Sequence, residues 1–366
     1  MLGSSSTTVR VAELADVPER AWDALVGPDD FYLCHRWLRV LAATSGAHLR
    51  AVLCDGDRGE LAAGLVTAFA DTSAPWLHGR PDTLLEHCEH QGLPGTAECR
   101  QAFGADLTGT LMPSLVCGGR HLGRNRVLAT DPADTAALLA EAERLAEELG
   151  ARSVSFCYVD ERDTALRELL AARGYHGHVS GRYSWLPLPP DGFAGYLGLF
   201  SAHRRRRVQA ERRRLAAAGV DSRIEPLTDA IVPRLAELET ALLTKYGLRW
   251  VPEQSARILY RAVAELGPSA QVSVARVDGR IDGFALLLSH GYQWYAHRAG
   301  FDYPRQGRLP LYYEVVYYRP VADAAAAGVT GIHYGVGSPE AKRSRGCVSV
   351  AQYAYVRRLA DGPAGR

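Results

Sequence analysis

Lysine is nearly missing from this chain. Of 42 Lys and Arg residues, only Lys245 and Lys342 are lysine. Where a surface position wants only positive charge, arginine has filled it. A lysine kept against that bias is a candidate for work arginine cannot do, because an ammonium is compact with a movable pKa while a guanidinium is a rigid, permanently charged fork. Other absences narrow the field. No apolar run reaches the length of a membrane helix. Met1–Thr8 has no apolar core of a signal peptide, so a cytoplasmic location is expected. The seven cysteines are odd in number and include no Cys-x-x-Cys pair, which argues against a disulfide framework. There is no Gly-x-Ser-x-Gly elbow to support a Ser-His-Asp hydrolase. The net charge of +1 argues against wholesale coating of nucleic acid.

What is present is ordinary globular composition, 47% hydrophobic and 23% charged, over 366 residues, a length that suits two domains. The segment Leu186-Pro187-Leu188-Pro189-Pro190-Asp191-Gly192 reads as a linker, since three prolines and a glycine continue neither helix nor central strand. The two sides share a plan. Alternating runs at 49–54 and 60–66 flank Asp55–Gly59; runs at 271–277 and 281–288 flank Asp278-Gly279, a hairpin signal. Each hairpin is followed by a strand (111–117 or 292–297) and a long helix (Thr135 to Leu149, or Leu311 to Ala327) that ends in Gly150 or Gly328. A further strand, 153–158 or 331–335, completes the crossover. This is an α+β plan used twice, with domains at 1–190 and 191–366 and an insertion at about 71–110. The insertion carries His78, His87, Cys88, His90 and Cys99, whose spacing matches no standard zinc pattern, so no metal is expected.

In its order of elements the chain resembles the GNAT N-acyltransferase fold, present twice. The second copy resembles Fem-type aminoacyltransferases and bacterial proteins named for peptidoglycan biosynthesis. The words that carry the resemblance are Phe31–Leu38 with Trp37, the arginine-rich Arg204–Leu215, Tyr295–Phe301, Tyr312-Tyr313, and Gly335–Gly346 with Lys342. The resemblance implies an acyltransferase that makes an amide on a small-molecule amine. It needs no bound cofactor, only an aminoacyl-tRNA or an acyl-CoA as co-substrate. A CoA-dependent enzyme of this fold has a glycine-rich turn before the helix that follows its fourth strand, where backbone amides hold pyrophosphate. Here that place reads Asp302–Pro310, with one glycine, Gly307, and two arginines, Arg305 and Arg308. The departure favours a tRNA-borne donor over CoA. A catalytically inactive pair that binds a cell-wall precursor or RNA is the alternative of another class.

Amide formation asks for a neutral amine, donors for the developing oxyanion, and charge or a proton for the leaving group. Lys342 with Arg343 and Arg345 is expected to meet one of the last two demands from an exposed loop; in Fem-type relatives a lysine at the matching place is thought to act at the donor end. Tyr295 and His297 share one strand face by alternation, and with Tyr334 across the sheet they are the proton-handling candidates. Arg305, Gly307, Arg308, Arg343 and Arg345 are expected at the donor. Arg204, Arg205 and Arg207, from a run of seven arginines against the single Glu211, are expected on donor phosphates. A solvated helix face is the plainer account of that run. Trp37, Tyr312 and Tyr313 are expected to line the acceptor site.

Overall fold

The computed structural model describes residues 8–74, 79–119 and 123–359. Two compact units emerge: the chain up to Tyr183 together with the stretch from Val350 on, and Ser184–Ser349. The sequence boundary at 190 therefore differs from the observed one, and the end of the chain groups with the first unit. The reason is local. Leu186 and Pro187 are not linker but the end of a strand, and Pro187 stands at the terminus of that strand, where proline is tolerated.

In the first unit, β1 (Thr8–Glu13), β2 (Leu49–Asp55), β3 (Leu61–Ala70) and β4 (Ser114–Cys117) pair antiparallel in turn. β5 (Ser153–Asp160) lies parallel to β4, reached through the helix Pro132–Glu148. β6 (His176–Pro187) starts in this unit, and the chain's last strand, β12 (Val348–Arg358), returns to pair with β5. The insertion is helical, at Pro81–His90, Thr96–Phe103 and Leu107–Leu111. The expected strand at 111–117 is shortened to β4, because Leu107–Leu111 already forms a helix capped by Asp106. Cys88 and Cys99 are buried, His78 lies outside the described residues, and no group of metal-ligating side chains occurs among the described ones.

The second unit repeats the plan. β7 (Asp221–Pro226), β8 (Ala270–Val277), β9 (Arg280–His290) and β10 (Gln293–Phe301) are antiparallel neighbours, and β11 (Gly331–Gly335) runs parallel to β10. Asp278 and Gly279, the whole β8–β9 turn, both have positive φ (52° and 78°), as a two-residue hairpin matched to strand twist requires. The β10–β11 crossover is one helical run, Leu311–Tyr313, Glu314–Tyr318 and Arg319–Ala324, whose middle part is a π-helical turn. Its apolar side, with Val315, Tyr317, Tyr318 and Val321, packs on Trp294, Phe301, Ile332 and Tyr334. On β10, Gly300 admits the helix Val232–Lys245 so closely that a Cβ there would lie 2.4 Å from the backbone of Leu238. No helix of the described residues is long and apolar enough to cross a membrane.

Candidate active site

Parallel strands joined by a helix diverge at their carboxyl ends, and in such sheets ligands bind there. In the second unit the β10–β11 pairing covers Gln293–Gly331, Trp294–Ile332 and Tyr295–His333 and stops. β10 runs on to Phe301 and β11 to Gly335, so the two strands part beyond Tyr295 and His333. Both are irregular at that point. β10 bulges between Ala296 and Arg298, which takes His297 out of register, and β11 bulges between His333 and Gly335. Bulges gather beside active sites because they re-aim a side chain or end a pairing. The first unit has the same opening but fills it. Beyond Cys117 the chain comes back, Asn125 bridges parallel to Val159 and its N–H donates to Tyr158 O at 2.9 Å, while the Gln352 amide donates to Gly123 O at 2.6 Å. The parting of β10 and β11 makes the second unit's strand ends the candidate cleft.

Lys342 lies on the short helix Pro339–Arg343 that follows β11, and not as an exposed loop cation. It is 7% exposed, and its Nζ donates to Tyr334 O at 2.7 Å, Gly335 O at 2.8 Å and Val336 O at 2.9 Å. The glycines explain how a loop can do this: Gly335 and Gly337 have φ of 64° and 88°, and Ser338 is itself left-handed at 45°, so the chain curls its carbonyls inward. Burial lowers the ammonium's pKa to about 8. At neutral pH it still carries its proton, and its three N–H groups are spent on three carbonyls. The expectation of an exposed, substrate-facing Lys342 is corrected accordingly.

The proton-handling trio is also rearranged. Tyr334 packs with Trp294 and Ile332, whereas Tyr295, fully buried, stacks on His333 with ring centroids 4.4 Å apart. Since Tyr295 pairs with His333 and side chains alternate, Tyr334 lies on the opposite face of the sheet from Tyr295. Burial raises the Tyr334 pKa well above its usual value, and its hydroxyl donates to Val316 O at 3.1 Å. Tyr334→Phe is therefore expected to lower stability by about 1 kcal/mol, the worth of one such hydrogen bond, and to leave turnover unchanged. Urea unfolding and steady-state rates check both halves; a large loss of turnover in a folded protein would return Tyr334 to the chemistry. His297, half-buried at the bulge, is the remaining candidate.

Tyr334 begins an aromatic wall. It stacks on Tyr317 (4.7 Å); Tyr317 meets Tyr312 (6.0 Å), and Tyr312 meets Tyr313 (5.3 Å). The Arg345 guanidinium lies 3.8 Å over Tyr313 and is 1% exposed, with Glu211 Oε2 3.7 Å from its Nη2. Tyr318 donates its hydroxyl to the same Glu211. Arg345 thus packs inside the second unit, while Arg343 is exposed. Trp37 lies in the first unit, buried against Phe31 and Tyr32.

The loop 302–310 already commits several of the amides that a phosphate cradle would use. The Arg305 N–H donates to Asp302 Oδ1 at 3.2 Å, Gln306 N–H to Asp302 O and Leu309 N–H to Gln306 O at 2.8 Å each, and Pro304 and Pro310 have no N–H. The Arg305 side chain is bound to buried Asp282, at 3.0 Å. Gly307, with φ of 52°, caps the short turn Tyr303–Gln306, and Arg308 O accepts from Arg214 Nη1 at 3.4 Å. Arg214 lies on the arginine helix, Ala202–Ala217, whose Val208 and Leu215 are buried. Several of its arginines are already engaged. Arg205 donates to Phe200 O (2.7 Å), Arg207 to Glu211 (2.9 Å), and Arg212 pairs with buried Glu314 at 3.4 Å. The backbone N–H of Arg204 is capped by Ser201 Oγ. Arg206 and Arg213, seven apart and exposed, form the outward stripe. Sequence reasoning passed over Glu211 and Glu314 as site-shaping acids; a lone acid inside an arginine run was the available signal for the first.

Solved structures with the same fold extend over nearly the whole chain. FemX is 14% identical with a TM-score of 0.65, covering 96% of this chain and 97% of that one. A tandem GNAT protein from the clavulanic acid biosynthesis pathway is 13% identical with a TM-score of 0.56, covering 98% and 100%. The C-terminal domain of a putative lysylphosphatidylglycerol synthetase from Agrobacterium fabrum is also 13% identical at 0.56, covering 92% and 90%. These likenesses establish the tandem GNAT/Fem fold. No curated protein matches the sequence. The FemAB-like family model, described as peptidoglycan biosynthesis/recognition, matches residues 113–362.

Proposed function

We propose, for a chain that belongs to the FemAB-like family, that the second unit joins an activated acyl group to an amine, and that the donor is an aminoacyl-tRNA. The chain is an acyltransferase of that family. In the reaction, the neutral amine of the acceptor attacks the ester carbonyl carbon and forms the C–N bond. The C–O bond to the tRNA ribose breaks, the amine nitrogen loses a proton, and the leaving ribose oxygen takes one up. His297, at the bulge where β10 leaves β11, relays that proton. Lys342 acts through the backbone, holding the carbonyls of Tyr334, Gly335 and Val336 and so the far wall of the cleft.

One observation carries the choice of donor. The loop that would cradle a CoA pyrophosphate has the amides of Arg305, Gln306 and Leu309 bonded within itself and lacks two more at Pro304 and Pro310, and the arginine helix lies against it through Arg214 and Arg308. Phosphate recognition is thereby moved from loop amides to guanidinium groups, which suits a long polyanion better than one pyrophosphate. A screen of charged tRNAs and acyl-CoAs tests the donor directly. Replacing Arg206 and Arg213 by Gln is expected to weaken tRNA binding at low salt and to flatten its logarithmic salt dependence by about 2, one for each phosphate no longer neutralised. Turnover at saturating donor should change little, since these side chains position and do not react. Turnover with an acyl-CoA but with no charged tRNA would overturn the reading.

A further inference from the structure

The largest exposed apolar side chains of the second unit include three on one short connection. Between the helices Val232–Lys245 and Pro252–Leu266, Tyr246 is 73% exposed, Leu248 51% and Val251 50%. Tyr246 does not stand alone. Lys245, its neighbour in the chain, places it beside Tyr303, and Tyr312 is itself 39% exposed. Phe301, the last residue of β10, touches both Tyr303 and Tyr312 from beneath, with centroids 6.3 and 5.7 Å away. The three tyrosines therefore gather at the carboxyl end of β10, the end at which β10 leaves β11. Lys245, the other rare lysine, holds its ammonium 4.0 Å over the Tyr303 ring. Arg249 follows on the same connection, and neither cation has a carboxylate partner among the described residues. Exposed aromatic faces with unpaired cations between them are how proteins hold single-stranded nucleic acid, because every base offers a π-face and every link a phosphate.

We infer that Tyr246 and Tyr312, with Arg249 and with Lys245 seated on Tyr303, form a stacking platform for the unpaired 3′ bases of the donor RNA. The inference rests on the aminoacyl-tRNA reading above. It assigns the donor's two parts to separate surfaces: the paired, phosphate-lined stem to the arginine helix, and the unpaired end that bears the ester to the tyrosines at the mouth of the cleft. It also gives Tyr312 to the donor in place of the acceptor.

The test uses the full chain and two labelled RNAs, an intact tRNA and the same tRNA lacking its unpaired 3′ nucleotides, followed by fluorescence anisotropy. Tyr246→Leu keeps an apolar side chain on an exposed position but removes the ring, so the fold is retained; Tyr246→Trp keeps a π-face. For intact tRNA, affinity is expected to fall about 5- to 100-fold in Tyr246→Leu and to be retained in Tyr246→Trp. For the shortened tRNA both variants should bind like the parent protein. Equal losses on the two RNAs, or no loss on either, would overturn the platform. If Arg206→Gln/Arg213→Gln weakens both RNAs while the tyrosine variants bind normally, only the platform falls. If the parent protein binds neither RNA, the tRNA donor falls and the platform with it.

Discussion

Replacing Lys342 by methionine is expected to cost the fold about 3 kcal/mol, a large fraction of a typical domain's stability. Methionine fills much of the space of the lysine stem, so the loss is not chiefly a cavity. It is the removal of one cation from three carbonyl oxygens, of Tyr334, Gly335 and Val336, that are turned toward it. Hydrogen bonds to a charged donor are worth more than neutral ones, and a buried carbonyl left without a donor carries its full desolvation cost. Removing the unfavourable burial of the ammonium offsets part of this, which keeps the figure below the sum of three bonds. Lys342→Arg is expected to destabilise as well, by roughly 1–3 kcal/mol, because a planar fork overfills a pocket shaped around a tetrahedral point. Urea unfolding of the three proteins measures both. Parent-like stability in Lys342→Met would mean that the carbonyl triad does not hold the loop.

The same residue sets a pH dependence whose sign is fixed by its shift. Its folded pKa, about 8, lies below the 10.5 of an ordinary lysine. Below pH 8 both folded and unfolded chains carry the proton, and the penalty of burying the charge is fully present. Between pH 8 and 10.5 the unfolded chain holds more protons than the folded one, so stability from this group rises with pH. Between pH 8 and 10 the parent protein is expected to gain roughly 1–2 kcal/mol relative to Lys342→Met. A difference that stays flat across that window would contradict the shift.

How legible this was depended on whether the cause is local. The Asp278-Gly279 hairpin and the glycine-ended helix Pro132–Glu148 follow from neighbours in sequence, and each appears where local rules put it. The repeated α+β plan follows from their order. Alternation within β10 correctly separates Tyr295 from Trp294, but whether Tyr334 joins Tyr295 depends on the register between two strands nearly forty positions apart, which no local pattern carries. The bulge at His297 leaves no mark in the run Gln293–Phe301. The rarity of lysine pointed to Lys342, and its place in a glycine-rich turn made exposure the natural expectation. Its burial arises because the glycines that make the turn flexible also let it close around the ammonium. Charge on the arginine helix was visible; which arginines are already bound to Glu211, Phe200 and Glu314 was not. Glu314 is distant in sequence, and Phe200 accepts through its backbone carbonyl, which side-chain chemistry does not announce.

Changing His297 to alanine or glutamine is expected to lower turnover about 100- to 10,000-fold, the range for loss of a positioned acid–base group. Thermal unfolding should scarcely move, because the side chain is half-buried and its strand is held by β9 on the other side. Two control variants and one readout separate a proton relay from a structural effect. Tyr295→Phe removes a buried hydroxyl from a ring that stacks on His333, and should leave turnover within a few fold of the parent. Tyr334→Phe should behave likewise. The decisive readout is the pH profile of turnover: the parent should lose rate on the acid side as the imidazole is protonated and can no longer accept the amine's proton, and His297→Gln should show a low rate without that limb. A variant that keeps the acid limb at reduced rate would place the titrating group elsewhere in the cleft. One that keeps the parent rate as well would remove His297 from the reaction, and leave the bulge on β10 as a device for parting the strands rather than for aiming a base.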